Sequence, residues 1–136
     1  MTDLVVDASV ALSWVLPDEF ESAAERLFER AVMSRLHVPA HFYAEVGNVL
    51  LQSHKRGRIL IEDLEEARRA LRRLQWVTVD LDRDVIWTRA MTRAHDRGLT
   101  LYDGLYLDLA IARDLPLATF DRGLRRAAEA EGVALA

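Results

Sequence analysis

Leu4-Val5-Val6-Asp7-Ala8-Ser9, with the segment that runs on to Leu16-Pro17, decides the fold class. Three apolar residues without polar alternation read as a short strand buried on both faces. Asp7 ends that strand, and Ala8 to Leu16 predicts a small helical segment that Pro17 stops. A strand that turns at once into a helix opens an α/β chain, and the text that follows repeats the unit. From Asp18 to Ala31 a helix is expected, with Phe20, Ala23, Ala24, Leu27, Phe28 and Ala31 at helical spacing and Glu19, Glu21, Glu25, Glu29 and Arg30 largely opposite. Leu36-His37-Val38 predicts a second strand closed by Pro39. The next helix spans about Ala40 to Lys55 and ends at Arg56-Gly57, where glycine caps well. Ile61 to Leu74 is a further helix, acidic at its start and basic at its end, which suits the helix dipole.

Val77-Thr78-Val79 predicts a third strand, followed by a helix from Arg83 to Arg97 stopped by Gly98. Thr100 opens a helix to Asp114, Leu117-Ala118-Thr119 is a fourth strand, and Gly123 to Glu131 is the last helix. Val133-Leu135 is a candidate edge strand. Strands alternating with helices predict an α/β sandwich, a parallel sheet of four to five strands with helices on both faces.

The chain has 136 residues, 51% hydrophobic and 29% charged, the make-up of one globular domain spanning 1–136. Cysteine is absent, which excludes a thiol nucleophile, a thiolate metal site and a disulfide framework. No targeting segment and no membrane-length apolar run is visible, so a cytoplasmic protein with no membrane partner is expected. Lys55 is the only lysine, and the other cations are arginines, whose planar forks suit carboxylate or phosphate. The net charge of −4 speaks, taken alone, against a nucleic-acid partner.

The acidic residues are not scattered evenly. In a parallel sheet, sites form beyond the carboxyl ends of the strands, and two strands here end on an aspartate, at Asp7 and Asp121. Either one alone reads as a strand end or a helix cap. Glu45 is the only charged residue between Pro39 and Lys55. With His41, Asn48 and Gln52 it makes one narrow polar stripe, in which His41 and Gln52 read as solvent face and Glu45 and Asn48 as the lining of a cleft. Asp103 stands three residues after Thr100, so a capping box and a site role are both open. Tyr102, Leu105, Tyr106 and Leu109 read as core. Four converging carboxylates repel by several kcal/mol at an effective dielectric near ~20 unless a cation joins them. Oxygen-only ligands suit Mg²⁺ or Mn²⁺ better than zinc.

These segments, Asp7-Ala8-Ser9, Glu45 with Asn48, Tyr102-Asp103-Gly104-Leu105-Tyr106-Leu107 and Thr119-Phe120-Asp121, resemble in order and spacing the PIN-domain ribonucleases. More narrowly, the whole chain is similar to the VapC-type toxins of bacterial toxin–antitoxin pairs. The resemblance implies a PIN-like three-layer sandwich and a metal-dependent endoribonuclease, with Asp7, Glu45, Asp103 and Asp121 as catalytic and Mg²⁺- or Mn²⁺-holding acids. Ser9, Asn48 and Thr119 fall where the family places polar support. It also implies an RNA substrate, a cognate VapB-type antitoxin and a homodimer. The family usually has alanine where Gly104 stands and a small or apolar residue where Asp108 stands. Asp108 points away from Asp103 on the helix and reads as peripheral.

RNA reaching an acidic hole needs cations elsewhere. Lys55, Arg56 and Arg58 are candidates, as are Arg68, Arg69, Arg72 and Arg73, although the latter set also pairs with Glu62, Glu65 and Glu66 at helical spacing. His37, His54 and His95 read as surface or edge residues, and Trp14, Trp76 and Trp87 as core or interface. A receiver domain would need a suitably placed lysine, a dehalogenase-type phosphatase an Asp-x-Asp, and a dinucleotide site a Gly-x-Gly-x-x-Gly; none is present. A PIN-like binding module without turnover is the alternative from another class. The quartet alone accounts for the excess of 22 acidic over 18 basic residues, so the negative charge marks a cation site.

Overall fold

The computed structural model describes residues 2–17 and 21–136. The elements run β1 (Thr2–Val6), α1 (Ala8–Ser13), α2 (Ser22–Ala31), β2 (Ser34–Pro39), α3 (Phe42–Lys55), α4 (Ile61–Arg72), β3 (Gln75–Val79), α5 (Arg83–Val85), a π-helical turn (Ile86–Ala90), α6 (Met91–Arg97), α7 (Leu101–Arg113), β4 (Leu117–Ala118) and α8 (Arg122–Ala130). The first residues expected in the second helix, Asp18, Glu19 and Phe20, lie outside the described residues. All four strands are parallel in the order β3-β2-β1-β4, with Val5 opposite both His37 and Leu117. The expected fifth strand reduces to one bridge, Leu117 to Leu135, held by hydrogen bonds from Leu117 N to Ala134 O and from Ala136 N to Leu117 O.

Leu4, Val5 and Val6 are buried, as strand one must be when helices cover both faces. They join Leu36, Val38, Phe42, Tyr106, Leu107, Leu117 and Leu124 in the core. The order β3-β2-β1-β4 means that the chain builds outward from β1 in both directions. The carboxyl ends of β1 and β4 therefore border the point where the winding reverses, the place where sheets of this class bind ligands.

The stretch 83–97 is continuous helix, but its middle is wound as a π turn over Ile86–Ala90, where a plain α-helix is expected. Ile86, Ala90 and Ala94 recur every four residues and so read as plain α-helix, which hides the i→i+5 turn. Past that turn, Ala90 and Ala94 face Gly104 of α7. A Cβ at Gly104 would stand 2.8 Å from the Cβ of Ala94 and 3.5 Å from the carbonyl of Ala90. Ala94 fills the space that a side chain at position 104 would need. Gly104→Ala will lower stability by about 1–3 kcal/mol through overpacking, and Ala94→Gly in the same chain will recover part of it; urea unfolding of both variants measures this.

Three sequence expectations for large side chains change. Trp87 is 66% exposed, so of its two readings, core or interface, core is excluded. Tyr102 is 62% exposed, because α7 enters the core only from Gly104 onward. His37 is buried rather than a surface residue: its Nε2 lies 3.1 Å from Asp3 Oδ1 and its Nδ1 lies 3.0 Å from Arg113. A histidine between Leu36 and Val38 tolerates that position because both ring nitrogens find partners. His54 and His95 stay at or near the surface; His54 Nδ1 lies 3.0 Å from the carbonyl of Ile59.

Candidate active site

Asp7 follows the last residue of β1 and caps α1, with Oδ1 accepting from Val10 N at 3.1 Å. Asp121 follows β4 and caps α8, accepting from Leu124 N at 2.8 Å. Both aspartates are therefore caps, and both stand at the carboxyl edge of neighbouring strands. Ser9 and Thr119 join these two ends. The Ser9 hydroxyl donates to Asp7 Oδ1 at 2.6 Å and accepts from Phe120 N at 3.0 Å. The Thr119 hydroxyl donates to Asp7 Oδ2 and accepts from Asp121 N at 3.0 Å. Each hydroxyl thus spans two chain segments, using its donor on the carboxylate and a lone pair on a backbone amide.

Glu45 lies in the first turn of α3, placed there because Pro39 ends β2 and the chain turns into the helix at His41. The Tyr106 hydroxyl donates to Glu45 Oε1 at 2.7 Å, and His41 Nε2 lies 2.9 Å from the same oxygen. His41 is therefore tucked against Glu45 instead of facing solvent; its ring leans on Tyr106 and Tyr102 at 5.1 and 5.8 Å between centroids. Asp103 stands in the first turn of α7, whose cap is Thr100, accepting from Asp103 N at 3.2 Å. The Thr100 hydroxyl caps α7 and also hydrogen-bonds the Asp103 carboxyl, which stays half-buried at the helix start.

Asp103 is the electrostatic centre of the four acids, coupled to each of the other three. Burial pushes Asp7 from 3.8 to about 6; the hydrogen bonds from Ser9, Thr119 and Val10 oppose that rise, and the charge of Asp103 adds to it. Asp103 is raised by partial burial, then by the charges of Asp121 and Glu45. At Glu45 burial also pushes upward, but His41 and the Tyr106 hydroxyl outweigh it, and the carboxyl lies below its ordinary value. Tyr106 is driven far up by burial and by Glu45, so it remains a donor at every working pH.

The donor set is all oxygen, the choice of hard cations such as Mg²⁺ and Mn²⁺. Glu45 Oε2 and Asp121 Oδ2 accept no hydrogen bond from the described residues, so each of these acids has an oxygen to offer. The fit is one of chemistry and charge. Among the described residues, no group of three or more histidine, aspartate or glutamate side chains is gathered closely enough to hold a metal ion. Like charges without a cation between them repel, and the two caps hold Asp7 and Asp121 to their own helices.

Other expected residues fall elsewhere. Asn48 is exposed one turn beyond Glu45, and Gln52 is half-buried further along. Asp108 is buried, 5% exposed, rather than peripheral: Arg89 grips it with both nitrogens at 2.7 and 2.9 Å, on the side of α7 facing the π turn. Lys55, Arg56 and Arg58 stand at and beyond the far end of α3, about 15 Å along the helix from Glu45. Arg68 pairs with Glu65, as expected of a solvated helix face, while Arg68 and Arg72 also border an apolar groove with Tyr43, Val46 and Gly47. Arg69 and Arg73 are exposed on α4 and just after it. Two cations nearer the acids went unremarked in the sequence: Arg122, exposed beside Asp121, and Arg125, which donates to the Thr119 carbonyl at 2.9 Å. Their adjacency to Asp121 was the available signal.

The sequence profile of the PIN domain matches residues 4–130. The chain is 31% identical over 126 residues to ribonuclease VapC3 of Mycobacterium tuberculosis, covering 91% of this chain and 86% of that protein. Among solved structures it is similar to VapBC2 from Rickettsia felis bound to a fragment of promoter DNA, with a TM-score of 0.67 and 14% identity over 99% of this chain and 98% of the other. It is also similar to a toxin–antitoxin complex from Klebsiella pneumoniae, with a TM-score of 0.59 and 17% identity over 87% and 86% of the two chains. At those identities the structures speak for the fold alone. The profile match and the VapC3 identity go further: the chain belongs to the PIN-domain family, in its VapC ribonuclease branch.

Proposed function

We propose that this protein is a metal-dependent endoribonuclease and the toxin of a toxin–antitoxin pair, hydrolysing RNA phosphodiester bonds at Asp7, Glu45, Asp103 and Asp121. The observation that carries this is the electrical coupling of four carboxylates from four separate segments at one sheet edge, in a chain of the VapC branch. Asp7, Glu45, Asp103 and Asp121 would hold Mg²⁺ or Mn²⁺, which when bound supplies positive charge for a phosphoryl centre and its leaving oxygen. The chain's own residues do the rest. Ser9 and Thr119 fix both oxygens of Asp7; Tyr106 fixes one oxygen of Glu45 and leaves the other without a hydrogen bond from the described residues. Asp103 and Asp7, both with raised affinity for a proton, are the groups suited to accept one from an attacking water.

A VapB-type antitoxin and a second copy of the chain are the proposed protein partners. Exposed apolar residues on separate elements, among them Val32, Met33, Ile61, Trp87 and Met91, support more than one contact surface. No helix among the described residues is long and apolar enough to cross a membrane. The test is cleavage of single-stranded RNA by the purified chain with Mg²⁺ or Mn²⁺ and with EDTA. Cleavage with metal and none with EDTA is expected. RNA binding without cleavage in either metal would leave the non-cleaving module instead.

A further inference from the structure

Tyr102 is an aromatic ring left 62% exposed on a helix whose next seven residues, Gly104 to Ala110 after Asp103, are all buried. It neighbours Asp103 in the chain. Beneath it lies His41, ring centroids 5.8 Å apart and planes 38° from parallel, and His41 in turn rests on Tyr106 at 5.1 Å. The three rings climb from the buried hydroxyl that holds Glu45 out to solvent, with Tyr102 as the open top. Its inner side is supported and its outer face is free.

That position has a chemical consequence for a site that takes RNA. The acids repel phosphate, and Lys55, Arg56 and Arg58 lie at the other end of α3. Arg122 and Arg125 stand beside Asp121 and can meet a phosphate there, whereas beside Asp103 the contact the structure offers is one indifferent to negative charge. A flat, supported aromatic face is such a contact, since every nucleobase has a π-face and stacking is sequence-tolerant. We propose that Tyr102 is the platform on which the RNA base adjoining the cleaved phosphodiester stacks, with His41 as the residue that sets the tilt of its ring. This rests on the ribonuclease reading above, whose failure the experiment separates from its own.

Fluorescence anisotropy of the full chain, with Ca²⁺ in place of Mg²⁺, reads binding of two labelled probes: a short single-stranded RNA of mixed sequence and an abasic oligoribonucleotide of the same length and charge. Tyr102→Ala should weaken RNA binding about tenfold, within the range of base–aromatic stacking, and leave abasic binding within about twofold. Tyr102→Phe, which keeps the ring face, should bind both probes as the parent does. With Mg²⁺ restored, Tyr102→Ala should raise KM about tenfold with kcat changed less than about threefold, the pattern of lost uniform binding. Equal weakening on both probes, unchanged RNA binding in Tyr102→Ala, or no RNA binding by the parent would overturn the proposal. A parent chain that binds RNA but does not cleave it overturns the nuclease reading alone, and the anisotropy comparison still decides the stacking.

Discussion

Replacing Asp7 by asparagine will reduce metal-dependent RNA cleavage by about a thousandfold or more, the scale on which preorganised electrostatic groups act, and will make the metal-free protein more stable. The second half follows from burial. Asp7 is 4% exposed, and its carboxyl titrates near about 6 in the fold against 3.8 when free. A raised carboxyl means that the folded chain holds its proton more tightly than the unfolded chain does. Stability from this group is complete below pH 3.8, falls as pH rises, and is lost above about 6. At neutral pH the ionised Asp7 costs the fold on the order of 3 kcal/mol. Asparagine carries no charge, keeps an oxygen for Ser9 and Val10, and turns its amide toward Thr119, which has lone pairs to accept it. Urea unfolding in EDTA should show Asp7→Asn about 1–2 kcal/mol more stable at pH 7.5, with most of the gain gone near pH 4. Added Mg²⁺ should raise the parent's midpoint and leave the variant's where it was. A variant less stable than the parent at pH 7.5 would show that the three hydrogen bonds outweigh the buried charge.

Arg89→Ala will produce the largest loss of stability from one surface-accessible side chain, about 2–3 kcal/mol, while leaving the acidic site in place. Asp108 is buried and Arg89 holds it through two nitrogens, the fork-to-carboxylate geometry that lysine cannot reproduce. Only Asp108 of the two is buried, and removing Arg89 leaves that carboxylate out of water without its main partner, which costs more than the half-exposed pair itself contributes. Arg93, 3.8 Å from Asp108, softens the loss. Its nearer partner is Glu131, at 3.0 Å, which Arg97 shares at 3.3 Å. Arg89→Lys should restore little and Arg89→Ala/Asp108→Ala much more, a comparison that urea midpoints for the four chains make directly.

The layout of strands and helices is legible in the sequence because each strand is a short apolar run and each helix has a clear amphipathic period or a clear stop. The four acids are legible for a related reason: each interrupts apolar text at a strand end or a helix start, where charge is out of place unless it has work. What stays hidden depends on partners distant in the chain. Asp108 looks peripheral until Arg89, 19 residues away, arrives across a helix pair. His37 looks like an edge residue until Arg113 and Asp3 close around it. Tyr102 and Tyr106 look alike as text, and only the angle at which α7 enters the core sends one inside and the other out. Asp7 and Asp121 could be read as caps or as site acids, and the geometry makes them caps at the carboxyl ends of two neighbouring strands.

The hydroxyl bridges at Asp7 set an order of events during synthesis. Asp7 is translated early, on the strand that organises the sheet, while the Thr119 that clasps it comes 112 residues later and the Asp121 that faces Asp103 follows. Until β4 pairs with β1, a growing chain carries Asp7 without its clasp and the cluster without its last member. On the proposed ribonuclease reading, a polypeptide emerging from the ribosome, surrounded by RNA, would lack its assembled site until its final strand docks.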